Sequence, residues 1–490
     1  MSTPLRIRTL LALLCLHCAG CADIGRQPAP PARLDSAARE FDATAVGVSV
    51  QAAASETAPR AQWWLDFNDA ELGALIGQAL AASPSLAIAE ARVRRAEAIA
   101  GFVDADTDLH AALNANVERE RYSENYLYGD TLGRSYYTDA RLAFDFSYEF
   151  DFWGRQRALV ANAREQIDVA RAETESARLL LSVAVAGSYV GLRRALDERE
   201  LTQQQVDAYA EIAQLYKARA QRGIARASEA EQRTANLQAA RRTLATAQQR
   251  VAVAQHQLAE LTGRGPQALA TLQVATLAPV PARVPAALPL DWLGRRPDIA
   301  AQRLRIAAAD SAVAAARADF YPNIDLTAFA GFQALGTADL LRANSSTYGI
   351  GPALHLPIFN RGALRSALGA RNADYELAIA NYNQSVLAAA RDSADLVSAL
   401  RELARERDAS DAGLAALRRA DDAADIRYRR GLAPRLEALE SSVALLAEQQ
   451  RQLAVREREW IAALGLVRAL GGGYAGLAVS ATDRRAEKTQ

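Results

Sequence analysis

The chain is written twice. Arg222-Gly223-Ile224-Ala225 recurs as Arg430-Gly431-Leu432-Ala433, and Leu261-Thr262-Gly263 recurs as Ala469-Leu470-Gly471. Both pairs of glycines stand 208 residues apart (431 − 223 and 471 − 263). Gly154-Arg155 pairs with Asn360-Arg361 at an interval of 206, and Ser83-Pro84-Ser85-Leu86 with Arg296-Pro297-Asp298-Ile299 at 213. Self-similarity at a steady interval marks a repeated structural unit. The expected units are a first repeat over 61–264 and a second over 295–473, joined by a Pro-rich linker at 265–294 and followed by a tail at 474–490.

Each half has the same order: helix, two strands, long helix, turn, second helix. The strands are expected at about 108–152 and 320–359, and the helices at about 156–262 and 363–470. No proline interrupts 85–265 or 358–433. That leaves helical runs of roughly 65 and 40 residues, and at 1.5 Å per residue the longer ones reach about 100 Å. Leu237, Leu244, Val251 and Leu258 repeat every seven residues, with Ala240, Ala247, Ala254 and Leu261 three further on. Leu439, Leu446, Leu453, Trp460 and Val467 keep the same period in the second half. These are coiled-coil seams in which small alanines let helices approach closely. Periodicity leaves open whether the partner helix lies in the same chain or in another.

The strands are two-faced. From Ala140 the even positions read Ala140, Leu142, Phe144, Phe146, Tyr148, Phe150 and Phe152, while Asp139, Arg141, Asp145, Ser147, Glu149 and Asp151 hold odd positions. Leu109, Leu113 and Val117 face away from His110, Asn114, Asn116 and Glu118. The second half repeats the device with Ile324, Leu326, Ala328 and Phe332 against Asn323, Asp325 and Thr327, then Tyr348, Ile350, Leu354, Leu356 and Ile358 against Gly349, Gly351 and His355. Period-two alternation of this length suits a transmembrane barrel wall, or else a soluble sandwich with the apolar face inward. Four strands are too few for a barrel, which needs about eight, because an open edge in lipid leaves backbone groups unpaired. A membrane reading therefore requires several copies to pool their strands.

The N-terminus reads as an address. Arg6 and Arg8 precede an apolar run at 10–16, and Ala19-Gly20 leads into Cys21. This is a secretory signal peptide over 1–20. Its end resembles a bacterial lipobox, which implies lipidation (palmitate included) of Cys21; Ala22 after it implies sorting to the outer membrane. A Pro/Ala/Gly-rich stretch over 21–60 then reads as an extended tether. Lys+Arg and Asp+Glu balance at 57 each, so no bulk basic field points to nucleic acid. The three cysteines all lie within the first 21 residues, which excludes a disulfide framework and any Cys-based metal site downstream. His110, His256 and His355 are far apart in sequence, so no metal or catalytic site is expected within one protomer, although assembly of copies can bring histidines together. No phosphate loop or nucleophile-base arrangement points to an enzyme, and no cofactor is expected.

Several stretches together resemble a known family. They are Asp151-Phe152-Trp153-Gly154-Arg155, Arg295-Arg296-Pro297-Asp298-Ile299, Phe320-Tyr321-Pro322-Asn323-Ile324, Gly351-Pro352-Ala353-Leu354, Pro357-Ile358-Phe359-Asn360-Arg361-Gly362 and Ala469-Leu470-Gly471-Gly472-Gly473. Their order on a duplicated chain is similar to that of the TolC-like outer-membrane factors, in particular the lipoprotein branch serving resistance-nodulation-division efflux pumps. The resemblance implies a mixed fold: an α-helical coiled-coil barrel across the periplasm plus a transmembrane β-barrel, built as a homotrimer with four strands per protomer. It implies a lipid-anchored protein of the cell outer membrane, with a periplasmic adaptor and an inner-membrane pump as partners, serving as a passive exit duct for drugs and other small molecules. It also implies a periplasmic gate at Leu436 and Glu440, with Arg427, Tyr428 and Arg429 beside them; Glu440 stands where the family has a shorter aspartate. The helix turns at Gly223, Ala227, Gly431 and Ala433 are the implied adaptor-docking tips. A type I secretion duct for proteins and a periplasmic coiled-coil scaffold are the alternative functions.

Overall fold

The computed structural model describes residues 32–33, 61–125, 131, 133, 135–272, 274–276 and 294–474. The signal segment 1–20, Cys21, nearly all of the tether 21–60, residues 277–293 of the linker and the tail beyond 474 lie outside the described residues. The described elements run α1 (Ala70–Ala82), α2 (Pro84–Ala105), β1 (His110–Arg121), β2 (Tyr136–Glu149), α3 (Arg155–Gln221), α4 (Ala227–Leu261), α5 (Pro297–Ala318), β3 (Asn323–Leu335), β4 (Ser346–His355), α6 (Arg361–Arg429) and α7 (Arg435–Ala469). The helices α3 and α6 have 67 and 69 residues and α4 and α7 have 35 each.

Contacts divide the chain into two units. The first gathers 93–170 and 302–382 and contains all four strands. They form one antiparallel sheet in the order β1-β2-β3-β4. Its central ladder, β2 with β3, joins the two repeats. Beside the sheet, Val313, Ala316, Phe320 and Leu368 form a small core, and Arg155 pairs with Asp319 at 2.7 Å.

Among the described residues, the second unit gathers 61–92, 171–272, 274–276, 294–301 and 383–474. Its main core holds Trp63, Leu72, Leu75 and Ile76 against Val185, Tyr189 and Leu192 of α3 and Leu258 of α4. One stretch of α3 is apolar enough by length and composition to cross a membrane. Val185, Tyr189 and Leu192 of α3 lie in that core, and a helix packed into a core passes the same length and composition test. Asp69 caps α1 by accepting from the Leu72 N–H at 3.0 Å, and its second oxygen accepts from the Tyr189 hydroxyl at 2.9 Å. Burial and the Asp69 carboxylate both push the Tyr189 phenol upward. The α4 seam buries only apolar residues, Leu237, Ala240, Ala247, Val251 and Leu258 among them. Its duplicate α7 buries Gln452 and Glu459 as well. Burial pushes the Glu459 carboxyl up while Arg407, 3.1 Å away, pulls it down.

The duplication recurs in the glycines. Gly223 and Gly431 end α3 and α6 with φ of +71° and +69°. In each turn the following residue reaches back five positions, Ile224 N–H to Arg219 O at 2.9 Å and Leu432 N–H to Arg427 O at 2.8 Å. This is the Schellman closure, which requires a left-handed residue. Gly263 and Gly471 also take positive φ, but a Cβ there would sit 2.7 Å from Ala82 O and 2.9 Å from Arg295 O. A Cβ at Gly223 would meet nothing within 4 Å. Gly223→Ala is therefore expected to cost only the left-handed penalty of about 1–2 kcal/mol. Gly263→Ala and Gly471→Ala cost more, because backbone must also move. Thermal unfolding followed by circular dichroism checks this; equal losses at all three sites would show that the close approaches carry no energy.

Candidate functional site

Two features stand out once each unit is built: a sheet with an uncovered apolar face, and the helical turns at 221–227 and 429–435.

The ladder register places the strand side chains. Leu113 lies opposite Phe144, Phe144 opposite Ala330, and Ala330 opposite Tyr348. That row continues into Val117, Phe146, Ile350 and Leu354 on the same face by strand alternation. Phe144 is 52% exposed, Val117 61%, Tyr348 84% and Ile350 76%. The face is therefore continuous, apolar and uncovered. A soluble sandwich would pack such a face inward, since burying one Leu or Phe stabilises by roughly 1.5–3 kcal/mol.

The opposite face is polar and internally bonded. Arg141 grips Asp145 at 2.6 Å, and Asn114 donates to the same carboxylate at 2.8 Å. Gln333 donates to Asp139 at 3.3 Å. Phe329 departs from the alternation by standing on this side. Its ring lies over Gly349, where a Cβ would come within 2.7 Å, and beneath Arg141, whose guanidinium carbon is 5.7 Å from the ring centre. Sequence reading missed Phe329; the glycine directly across the ladder is the signal that marks it.

At the turns, Ile224 and Leu432 occupy equivalent positions and are 62% and 69% exposed. Gly223, Ala227 and Gly431 are exposed and Ala433 is half-buried. Arg427 pairs with Glu437 across the turn at 2.6 Å. Arg429 pairs with Asp425 of its own helix at 2.7 Å, so it bridges no second helix in this way. Arg435 makes an inter-repeat bridge, donating through Nε and Nη2 to Glu211 of α3 at 2.8 and 3.0 Å and stacking over Tyr428 at 5.2 Å. That guanidinium holds the Glu211 carboxyl below its usual range. Leu436 is half-buried beside Ala208, Ile212 and Leu439. Glu440 is half-exposed, 3.8 Å from Arg233, whose guanidinium also stacks on Tyr216.

The sequence model of the family described as outer membrane efflux protein matches residues 75–264 and 288–472. The multidrug resistance outer membrane protein MdtP of Escherichia coli (strain K12) is 31% identical over 429 residues, which span 86% of this chain and 88% of MdtP. The crystal structure of the outer membrane protein VceC from Vibrio cholerae is similar with a TM-score of 0.76 at 32% identity, covering 85% of this chain and 100% of VceC. The outer-membrane channel OprN gives a TM-score of 0.77 at 25% identity, covering 92% of this chain and 98% of OprN. With its two repeats matched in turn, the chain belongs to the outer membrane efflux protein family.

Proposed function

We propose that the protein is the outer-membrane channel of a tripartite efflux system. It is a passive exit duct, with no chemistry of its own, for small molecules delivered by a resistance-nodulation-division pump through a periplasmic adaptor. The uncovered apolar face of a four-stranded sheet with two open edges carries this reading. In hydrocarbon each unpaired backbone group costs several kcal/mol, so the edges must pair with other copies. Two copies supply eight strands, a barrel that its own side chains fill. Three supply twelve and leave a water-filled lumen lined by the Asp139, Arg141 and Asp145 face. The names of relatives such as MdtP support drugs as the cargo class. Purified protein in planar lipid bilayers is expected to give discrete single-channel currents; protein that inserts as oligomers without conducting would overturn the reading.

The gate reading places copies of Leu436 around the shared axis as a dewetting constriction and copies of Glu440 as an anionic ring. The exposed Ile224 and Leu432, with Gly223, Ala227, Gly431 and Ala433 around them, fit docking of the adaptor. Cys21 is the proposed lipid attachment. Cys21→Ser is expected to abolish palmitate labelling while the channel still assembles, because acyl chains tether but do not span. Persistent labelling would remove Cys21 as the anchor.

A further inference from the structure

The duplication specifies how the two open edges meet. Strands β2 and β3 come from different repeats, so their ladder is a junction between repeats, with Glu149 opposite Asp325 and Phe144 opposite Ala330. The Arg155/Arg361 equivalence carries β2 onto β4 with a shift of 206, turning Phe144 into Ile350 and Glu149 into His355. Leu113 lies opposite Phe144 and Ala328 opposite Ile350, so β1 maps onto β3 with a shift of 215 (328 − 113). That shift sets Leu109 on Ile324 and His110 on Asp325. When the junction between repeats is repeated between copies, Ile350 lies opposite Ala115 of the partner subunit. The Glu149–Asp325 pair becomes His355 opposite His110 of the partner subunit.

We propose that assembly creates a transition-metal site at each seam between copies, formed by His355 and the partner subunit's His110. The proposal rests on the channel reading above. Both residues lie on the polar face of the sheet and are exposed in one copy. They stand at opposite edges of that sheet, on β1 and β4. Among the described residues, no three His, Cys, Asp or Glu side chains of one chain are grouped to hold a metal. Directly opposite strand residues have Cβ atoms about 4.5–5.5 Å apart, within reach of one ion for two imidazoles. Paired imidazoles select Zn²⁺, Ni²⁺ or Cu²⁺ over hard cations. The His110 ring is already oriented: its Nε2 lies 3.0 Å from the Asp106 carbonyl, so a proton there leaves Nδ1 free to ligate. Asp325, on the strand next to His355, adds a carboxylate, while the Asp106 carboxylate, 3.8 Å from Nε2, backs the far side of the His110 ring. The equivalent junction inside the chain has carboxylates in place of both imidazoles, with Arg155 3.7 Å from Glu149. Only the seam between copies has imidazoles.

The test uses full-length protein from outer membranes. His110→Cys with His355→Cys is expected to give, on oxidation, a reducible ladder of covalent oligomers, since opposed strand positions meet disulfide geometry. Either single variant, and Ala112→Cys with His355→Cys two residues out of register, gives none. Zn²⁺ added to the unmodified protein is expected to raise the temperature at which the oligomer dissociates in SDS. EDTA reverses the shift, and His110→Ala or His355→Ala abolishes it. A ladder from the shifted pair alone overturns both register and site. A ladder without any zinc shift overturns the metal site. If the unmodified protein forms no SDS-resistant oligomer at all, the channel reading itself fails instead.

Discussion

Phe144→Arg is expected to abolish assembled oligomers in the outer membrane. Phe144 sits mid-strand in β2 and is 52% exposed in an apolar row that runs from Leu113 to Tyr348. A cation on the lipid face of a barrel costs about 2–4 kcal/mol near the midplane. Every copy bears that cost, and a barrel closes only when all of its copies insert. The next residue makes the control. Asp145 points to the other face, where it binds Arg141 and Asn114. Asp145→Asn keeps a polar group in water and is expected to assemble. Heat-modifiable bands from membrane fractions read both variants. Normal assembly of Phe144→Arg would mean that protein, not lipid, covers this face.

Arg435→Ala is expected to raise single-channel conductance several-fold. The Arg435–Glu211 bridge ties the second helical hairpin to α3, across the two repeats. Both side chains are more than a third exposed, so one bridge contributes on the order of 1 kcal/mol. The Tyr428 stack adds about 0.5–1 kcal/mol. The same loss in each copy biases the tip toward a wider state. Glu440→Ala is expected to lower cation preference at the proposed constriction instead. Acid acts in the same direction as Arg435→Ala. The folded Glu211 carboxyl lies below its unfolded value, so its contribution is full above the unfolded pKa of about 4.3 and is lost as pH falls through the folded one. Conductance rising only under strong acid fits this sign. Unchanged conductance in Arg435→Ala would reduce the bridge to surface decoration.

Much of this was legible in the sequence because it is periodic. The 208-residue interval marks both turns and both closing glycines in the sequence itself. Alternation in β2 placed Phe144 and Asp145 on opposite faces. Alternation assigns faces but not neighbours, so the β2–β3 ladder that joins the repeats had no local signal. Arg435 and Glu211 are 224 residues apart and belong to no shared motif. Arg429 carried the motif but spends its charge on Asp425, one turn back on its own helix. Phe329 breaks the pattern it sits in, and only the facing Gly349 explains why it fits. Resemblance to the family singles out Leu436 and Glu440 for the proposed gate; an axis shared between copies is needed before either can constrict anything.

The central claim is that several copies close one barrel. Native mass spectrometry of the detergent-extracted outer-membrane species counts them. Three copies are expected, hence twelve strands and an open lumen. A monomer would leave both sheet edges bare, and a dimer would close eight strands with no duct through them; either result would contradict it.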